Sequence, residues 1–320
     1  MTGVAVPRQR RRAQRDRLSS WRRADRVGLA LCWGLGLLFC AIAAAIVIYM
    51  LVQGLRYVRP ALLVTHPTGG YAEANSGGFL DPLLGTLLVA ALAMAIALPV
   101  GIATAVWLSE FARPTWLARA TESTIEMIAG APTIVLALFG TIMFQSGALG
   151  IFSRTGGGVV LGRSFFAAGA MLSLVALPLV VANTREGLQL IPSHVREASY
   201  AVGKTKAATI RRILIPAARP QIATGAILGI GRVIGDTAII VILLGATLTF
   251  NGAGGIPGLS TLRGTGSTLT SYIYTNSPAG EGNQPGKAYA AAFVLLLIVL
   301  ALNASVDLVA RRGRRYQWSS

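Results

Sequence analysis

The chain is poor in the groups on which most enzyme and metal sites depend. Its 320 residues include two cysteines and two histidines. Cys32 and Cys40 fall in one apolar segment, so no disulfide framework is implied. His66 and His194 lie far apart in sequence, without the spacing of a metal-ligand cluster. Charge is scarce as well. Only 13% of residues are charged, against about 25% in a soluble domain. Acid is scarcest of all, with 12 Asp and Glu against 29 Lys and Arg, a formal charge of +17. No internal repeat is evident.

What remains is 53% hydrophobic, and the basic excess is concentrated in a few places. Residues 1–27, 184–221 and 311–320 together carry +16 of the +17. Low charge density with basic ends describes a membrane protein. A bilayer core needs roughly 20 apolar residues per helix, because every backbone polar group must be satisfied internally. Six stretches qualify, at about 28–52, 83–108, 124–145, 165–183, 222–248 and 288–310. Six spans put both termini on one side, with the loops 109–123 and 184–221. That side holds 22 Lys and Arg, and the opposite loops 53–82, 146–164 and 249–287 hold six. The positive-inside rule therefore predicts cytoplasmic termini and a cytoplasmic 184–221 loop. The outer loops, such as NGAGGIPGLSTLRGTGSTLT at 251–270, read as irregular connectors.

The Arg-rich start permits other readings. A cleaved signal peptide has a shorter apolar core, about 7–15 residues, than the first span. A nucleic-acid tail would be accompanied by a reader fold, and none is apparent. A basic tail beside a span sets topology and can touch anionic lipid heads.

Residues 197–216, EASYAVGKTKAATIRRILIP, form a polar stretch among the spans. Gly203-Lys204-Thr205 imitates the end of a P-loop. That motif requires Gly where Ala198 stands and a preceding strand where 193–202 looks helical. The stretch instead predicts two short helices joined at Gly203, which suits a left-handed turn. Ser193 is expected to cap the first helix and Thr205 the second, with Pro216 interrupting after Ile215. Such a hairpin can lie on the membrane surface or dock a partner, and the residues alone leave both open.

Glu197-Ala198-Ser199, then Gly203, then Ile213-Leu214-Ile215-Pro216 resembles the E-A-A-x3-G-x9-I-x-L-P loop of ABC importer permeases. Ser199 and Ile215 are its two mild departures. The resemblance implies a type I importer (MetI-like) all-α permease fold. It also implies that Glu197, Ala198, Ser199, Gly203, Ile213 and Pro216 couple the spans to an ATPase on another polypeptide.

The fifth span contains ILGIGRVIGDTAII at 227–240. Gly229, Gly231 and Gly235 imitate a dinucleotide fingerprint, but no strand precedes them. Arg232 falls near mid-bilayer, where an ionised residue costs roughly 2.5–3.5 kcal/mol on insertion scales and usually faces the bundle interior or water. Asp236 lies four residues on, so a continuous helix puts both on one face, where they can pair. Gly225, Gly229, Gly231 and Gly235 are expected to let another helix approach closely.

The run Gly-Arg-Val-Ile-Gly-Asp-Thr-Ala at 231–238 resembles the G-R-x-x-G-E-T-A signature of phosphate-specific permeases, the PstA and PstC subunits. Gly85-Thr86-Leu87, Leu98-Pro99-Val100-Gly101-Ile102, Gly130-Ala131-Pro132-Thr133-Ile134-Val135 and Leu177-Pro178 extend the match over about 80–310 and favour the PstA type. Two departures stand out. Asp236 replaces the usual Glu, and Ala182 stands where many relatives have Arg, with Arg185 nearby.

The resemblance implies a permease subunit of an ATP-driven phosphate importer, with Arg232, Asp236 and Thr237 on the substrate path. Its expected organisation is a basic tail at 1–27, a first helix at 28–52, an outer loop at 53–82, a five-helix core at 83–310 and a second tail at 311–320. Expected partners are a PstC-like permease, two PstB-like ATPases, a PstS-like phosphate-binding protein and membrane lipid, with no nucleic acid. The chain itself is expected to bind no cofactor and to be non-catalytic, ATP and Mg residing on the ATPase. The expected location is a prokaryotic plasma membrane. The competing expectations are a permease for sulfate, molybdate or tungstate, an ATPase-independent ion-pair-gated transporter, and a membrane sensor.

Overall fold

A computed structural model describes residues 23–67, 77–112, 115–153, 162–245, 259–278, 280, 282 and 284–314. Most of the N-terminal tail, the end of the C-terminal tail and the segment 246–258 lie outside the described residues. The chain divides into two units, Met1–Leu51 and Val52–Ser320. The first holds most of helix α1 (Arg23–Tyr57), whose Leu31, Trp33, Phe39 and Ile46 are all exposed. An all-round apolar surface of this length suits lipid rather than water.

The second unit is helical apart from one antiparallel bridge between Pro67 and Gly77, among the described residues. After the short α2 (Pro60–Val64) come α3 (Leu80–Val106), α4 (Trp116–Gly130), α5 (Thr133–Gln145) and α6 (Phe165–Gln189). Then follow α7 (Ser193–Ala201), α8 (Lys206–Thr209), α9 (Ile215–Gly235), α10 (Ala238–Leu243), α11 (Leu259–Arg263), α12 (Leu269–Asn276) and α13 (Pro285–Arg314). Among the described residues, five helices are long and apolar enough to cross a membrane, or six if the bent pair α4–α5 is one span. The expectation of six spans is met on that count.

The core lies where α3, α6 and α9 meet. Ala93, Ala97, Leu172, Ala176, Val180, Val233 and Ile234 are buried there. Small side chains on α3 and α6 bring the helices close, which is how helices associate where lipid removes the hydrophobic drive. Of the span-five glycines, Gly225 and Gly229 do face neighbours. A Cβ on Gly225 would sit 3.2 Å from the Leu179 carbonyl oxygen. Gly231 and Gly235 have nothing within 4 Å and face away from this bundle.

Four expectations need correction. The third span is not one helix, because α4 and α5 meet at 107°. Ala131 and Pro132 are both extended there; the proline keeps the residue before it out of the helical region and has no N–H to continue the α4 ladder. Nor does Pro216 interrupt: Lys206–Gly235 is a single span-length helix. A π-turn at Ile210–Leu214 directly precedes the proline and accommodates it within the continuous helix. Thus much of the 184–221 loop is the N-terminal part of span five.

Ser193 does not cap α7. Pro192 holds that position without a side-chain bond. Lastly, 259–276 is no irregular connector. Ser267, Thr268, Ser271 and Asn276 are buried, and Thr268 and Ser271 form a reciprocal capping box at the start of α12. Gly85 makes room for this segment, since a Cβ there would lie 2.1 Å from the Ser267 carbonyl oxygen. Next to it, the Thr86 hydroxyl accepts the Leu269 N–H at 2.9 Å and donates to the Pro82 carbonyl at 2.8 Å.

Candidate functional site

The uncovered face of α9 is its most informative part. Thr224, Leu228, Arg232 and Gly235 are exposed at helical spacing, while Val233 and Ile234 behind them are buried. Arg232 therefore looks out of the bundle from the last turn of α9, between Gly231 and Gly235, and not from the middle of an unbroken span as the sequence suggested. It lines a cleft of about 190 Å³ with Ile128, Ala129, Ala131, Thr133, Pro178 and Leu179. The cleft opens at the α4–α5 break, so the Gly130–Val135 motif bends the chain beside the arginine. Pro178 contributes from within α6, where it has no N–H to donate.

Arg232 and Asp236 do not pair. Among the described residues Arg232 forms no ion pair, and α9 ends at Gly235. Asp236 is buried, and its carboxylate accepts the Ile239 N–H at 2.9 Å, capping α10. The four-residue spacing assumed a continuous helix. Capping chemistry wins instead, because a short acidic side chain satisfies the orphan N–H groups of a new helix. Thr237 completes the break, its carbonyl accepting the Val241 N–H at 2.9 Å. The Ile234 carbonyl accepts the Thr270 hydroxyl at 2.9 Å, which ties the break to the buried segment at 267–276. Arg232 is thus left lining the cleft with no ion pair among the described residues. Ala182 is exposed, and Arg185 does not stand in for it as a free cation, being held by Glu122 of α4 at 2.6 Å.

The second candidate region is the α7–α8 hairpin. Gly203 turns it with φ +79°, a left-handed conformation that Cβ hinders, and Thr205 caps α8 by accepting the Ala208 N–H. Glu197, Ala198 and Gly203 are exposed, with Tyr200 and Val202 beside them. Ser199 is not on that outer face. It is buried, its hydroxyl 2.8 Å from that of Thr209, so it fastens the two helices together. Ile213 and Pro216 are half-buried, Ile213 packing on Leu188, Ile210, Leu214 and Ala218. Two residues escaped the sequence reading, Glu110 at the end of span two and Arg196 in α7, which are joined at 2.9 Å. The available signal was an acid at the end of an apolar run that the charge pattern predicts to be cytoplasmic, where cations are the rule.

Residues 97–315 match the family described as binding-protein-dependent transport system inner membrane component. The chain is 36% identical over 255 residues to phosphate transport system permease protein PstA 1 of Mycobacterium tuberculosis (strain ATCC 25618 / H37Rv), covering 78% of this chain and 77% of that one. It is 35% identical over 246 residues to the phosphate transport system permease protein PstA of Mycobacterium leprae (strain TN), covering 75% and 73%. The fold resembles a chain of a bacterial alginate ABC transporter solved in complex with an alginate pentasaccharide-bound periplasmic protein. There the TM-score is 0.62 at 16% identity, with 90% of this chain and 95% of that chain covered.

Proposed function

Because the chain belongs to the family of inner membrane components of binding-protein-dependent transport systems, we propose that it is the PstA-type permease subunit of an ATP-driven phosphate importer. It forms part of the translocation path and carries no catalytic centre of its own. The observation that carries the reading is Arg232, a guanidinium in the last turn of α9, uncovered by its own chain beside a cleft, in a relative of phosphate permeases. An arginine in that position is costly against lipid and useful against an anion or a second subunit. Its planar donors fit two phosphate oxygens at once, and phosphate carries one to two negative charges at neutral pH.

In this reading Arg232 attracts the ion transiently at the interface with a PstC-like permease, whose helices cover the exposed face of α9. Asp236 and Thr237 act through the backbone. By ending α9 and starting α10 they fix where the path bends, and the carboxylate leaves the guanidinium free to release its ion. A site that held the ion deeply would not conduct. The α7–α8 hairpin presents Glu197, Ala198 and Gly203 to one of two PstB-like ATPases, which hold ATP and Mg. A PstS-like binding protein delivers phosphate from outside. The basic tails support a cytoplasmic position for both termini, in a prokaryotic cell.

Labelled phosphate uptake into proteoliposomes holding the whole complex tests this. Uptake that needs internal ATP and resists excess sulfate is expected. Uptake without ATP, or equal inhibition by sulfate and phosphate, contradicts it.

A further inference from the structure

Behind the exposed face of the hairpin lies a polar knot. Its hub is Glu110, in the π-turn Trp107–Phe111 that ends span two. The Glu110 side chain is 7% exposed, and Arg196 of α7 donates to its Oε1 from Nε at 3.1 Å and Nη2 at 2.9 Å. Arg196 also donates to the Leu188 carbonyl at 2.8 Å and the Ile191 carbonyl at 2.7 Å. Those carbonyls lie at the C-terminal end of α6, where orphan acceptors need a partner. Lys206, the first residue of the span-five helix, donates to the Glu110 backbone carbonyl, and its ammonium lies 4.4 Å from the centre of the Phe111 ring.

One glutamate thus joins four elements. Its carboxylate holds the hairpin helix α7, its carbonyl holds the start of span five, and its own turn ends span two. Arg196 brings in the end of span four. The guanidinium suits this work because its rigid fork fixes direction as well as distance. The pair is largely removed from water, so it is not the weakly held surface contact that solvent screens. Glu197 and Ala198, next in sequence to Arg196, point the other way and are exposed.

We propose that Glu110 and Arg196 are positioning residues that convert motion of the hairpin into joint motion of spans two, four and five. The ATPase grips the outer face of α7, and the knot on its inner face transmits the displacement. Without it α7 can tilt against the bundle instead of carrying the bundle with it. This inference rests on the proposed coupling to a separate ATPase.

The test uses the complete complex of this chain, the second permease, the ATPase and the binding protein. It measures ATP hydrolysis per assembled complex with and without inorganic phosphate, at a temperature where all variants remain folded. Arg196→Lys keeps the charge and loses the fork, and Glu110→Gln keeps the shape and loses the charge. Both are expected to lower phosphate stimulation about five- to tenfold, the scale of an ordinary coupling free energy, with the ATPase bound as in wild type. Lys206→Gln, at an exposed position that does not endanger folding, is expected to lower it about twofold in the same direction. A merely structural role lowers the yield of complex and leaves stimulation per complex unchanged. That outcome, or wild-type stimulation in all three variants, overturns the inference. A wild-type complex that binds no ATPase overturns the proposed function first, and the knot then has nothing to transmit.

Discussion

Asp236 separates a helix cap from an ion-pair partner, and replacing it by Asn and by Ala tells the two apart. Its carboxylate accepts one bond, from the Ile239 N–H at 2.9 Å, and Ile239 is 0% exposed. Alanine leaves that N–H without its acceptor in a buried place. Losing a cap costs about 0.5–2 kcal/mol and an unsatisfied buried donor about 1–3 kcal/mol, two descriptions of one loss. The expected cost of Asp236→Ala is therefore about 2 kcal/mol. Asparagine keeps a side-chain oxygen at the same reach and is as good a cap, so Asp236→Asn is expected to cost less than about 1 kcal/mol. Thermal unfolding of the purified chain in detergent measures the stability difference, and phosphate uptake measures the consequence for transport. On the capping account Asn retains most of both and Ala loses stability and transport together. If Asp236 served as a counter-charge to Arg232, Asn would be as harmful as Ala, and that result would refute the argument.

Two other substitutions follow from close approaches and backbone conformation. Gly85→Ala puts a Cβ 2.1 Å from the Ser267 carbonyl oxygen, which must retreat to about 3.4 Å. This strains the neighbouring Thr86–Leu269 bond and is expected to cost about 2–3 kcal/mol in thermal unfolding. Gly203→Ala meets no atom within 4 Å but must hold φ near +79°. The expected cost is about 1–2 kcal/mol, borne by the hairpin. It should appear as reduced phosphate-stimulated ATP hydrolysis, with little change in the melting of the bundle.

The spans were legible because bilayer thickness imposes length and apolarity on each of them. Arg232 was legible for the same reason, a charge being conspicuous in such a run. The Gly203 turn and the Thr205 cap were local chemistry and could be read locally. What the sequence concealed was local rules in competition. At 130–133 an apolar run long enough to span hid a break that Pro132 imposes. At 210–216 Pro216 announced an interruption that the preceding π-turn absorbs.

The segment 259–276 resembles a loop because it is rich in Ser, Thr and Gly. Thr268 and Ser271 bond each other, the Leu269 N–H bonds the Thr86 hydroxyl, and the Thr270 hydroxyl bonds the Ile234 carbonyl. No nearby residue announces such long-range partners. The Glu110–Arg196 pair is likewise 86 positions apart, and only the fold brings it together.

The central claim is that the uncovered arginine of span five handles the transported anion. ATP-driven phosphate uptake by the reconstituted complex bearing Arg232→Gln measures this most directly, with co-purification of the ATPase as the check on assembly. Glutamine keeps much of the length and some donors but loses the charge and the fork. Losing two charge-assisted bonds, each about 1.5–3 kcal/mol, predicts a fall in uptake on the order of a hundredfold or more. The complex should remain intact, because Arg232 is exposed and holds no partner in its own chain among the described residues. Uptake at the wild-type rate by an intact Arg232→Gln complex would contradict the account.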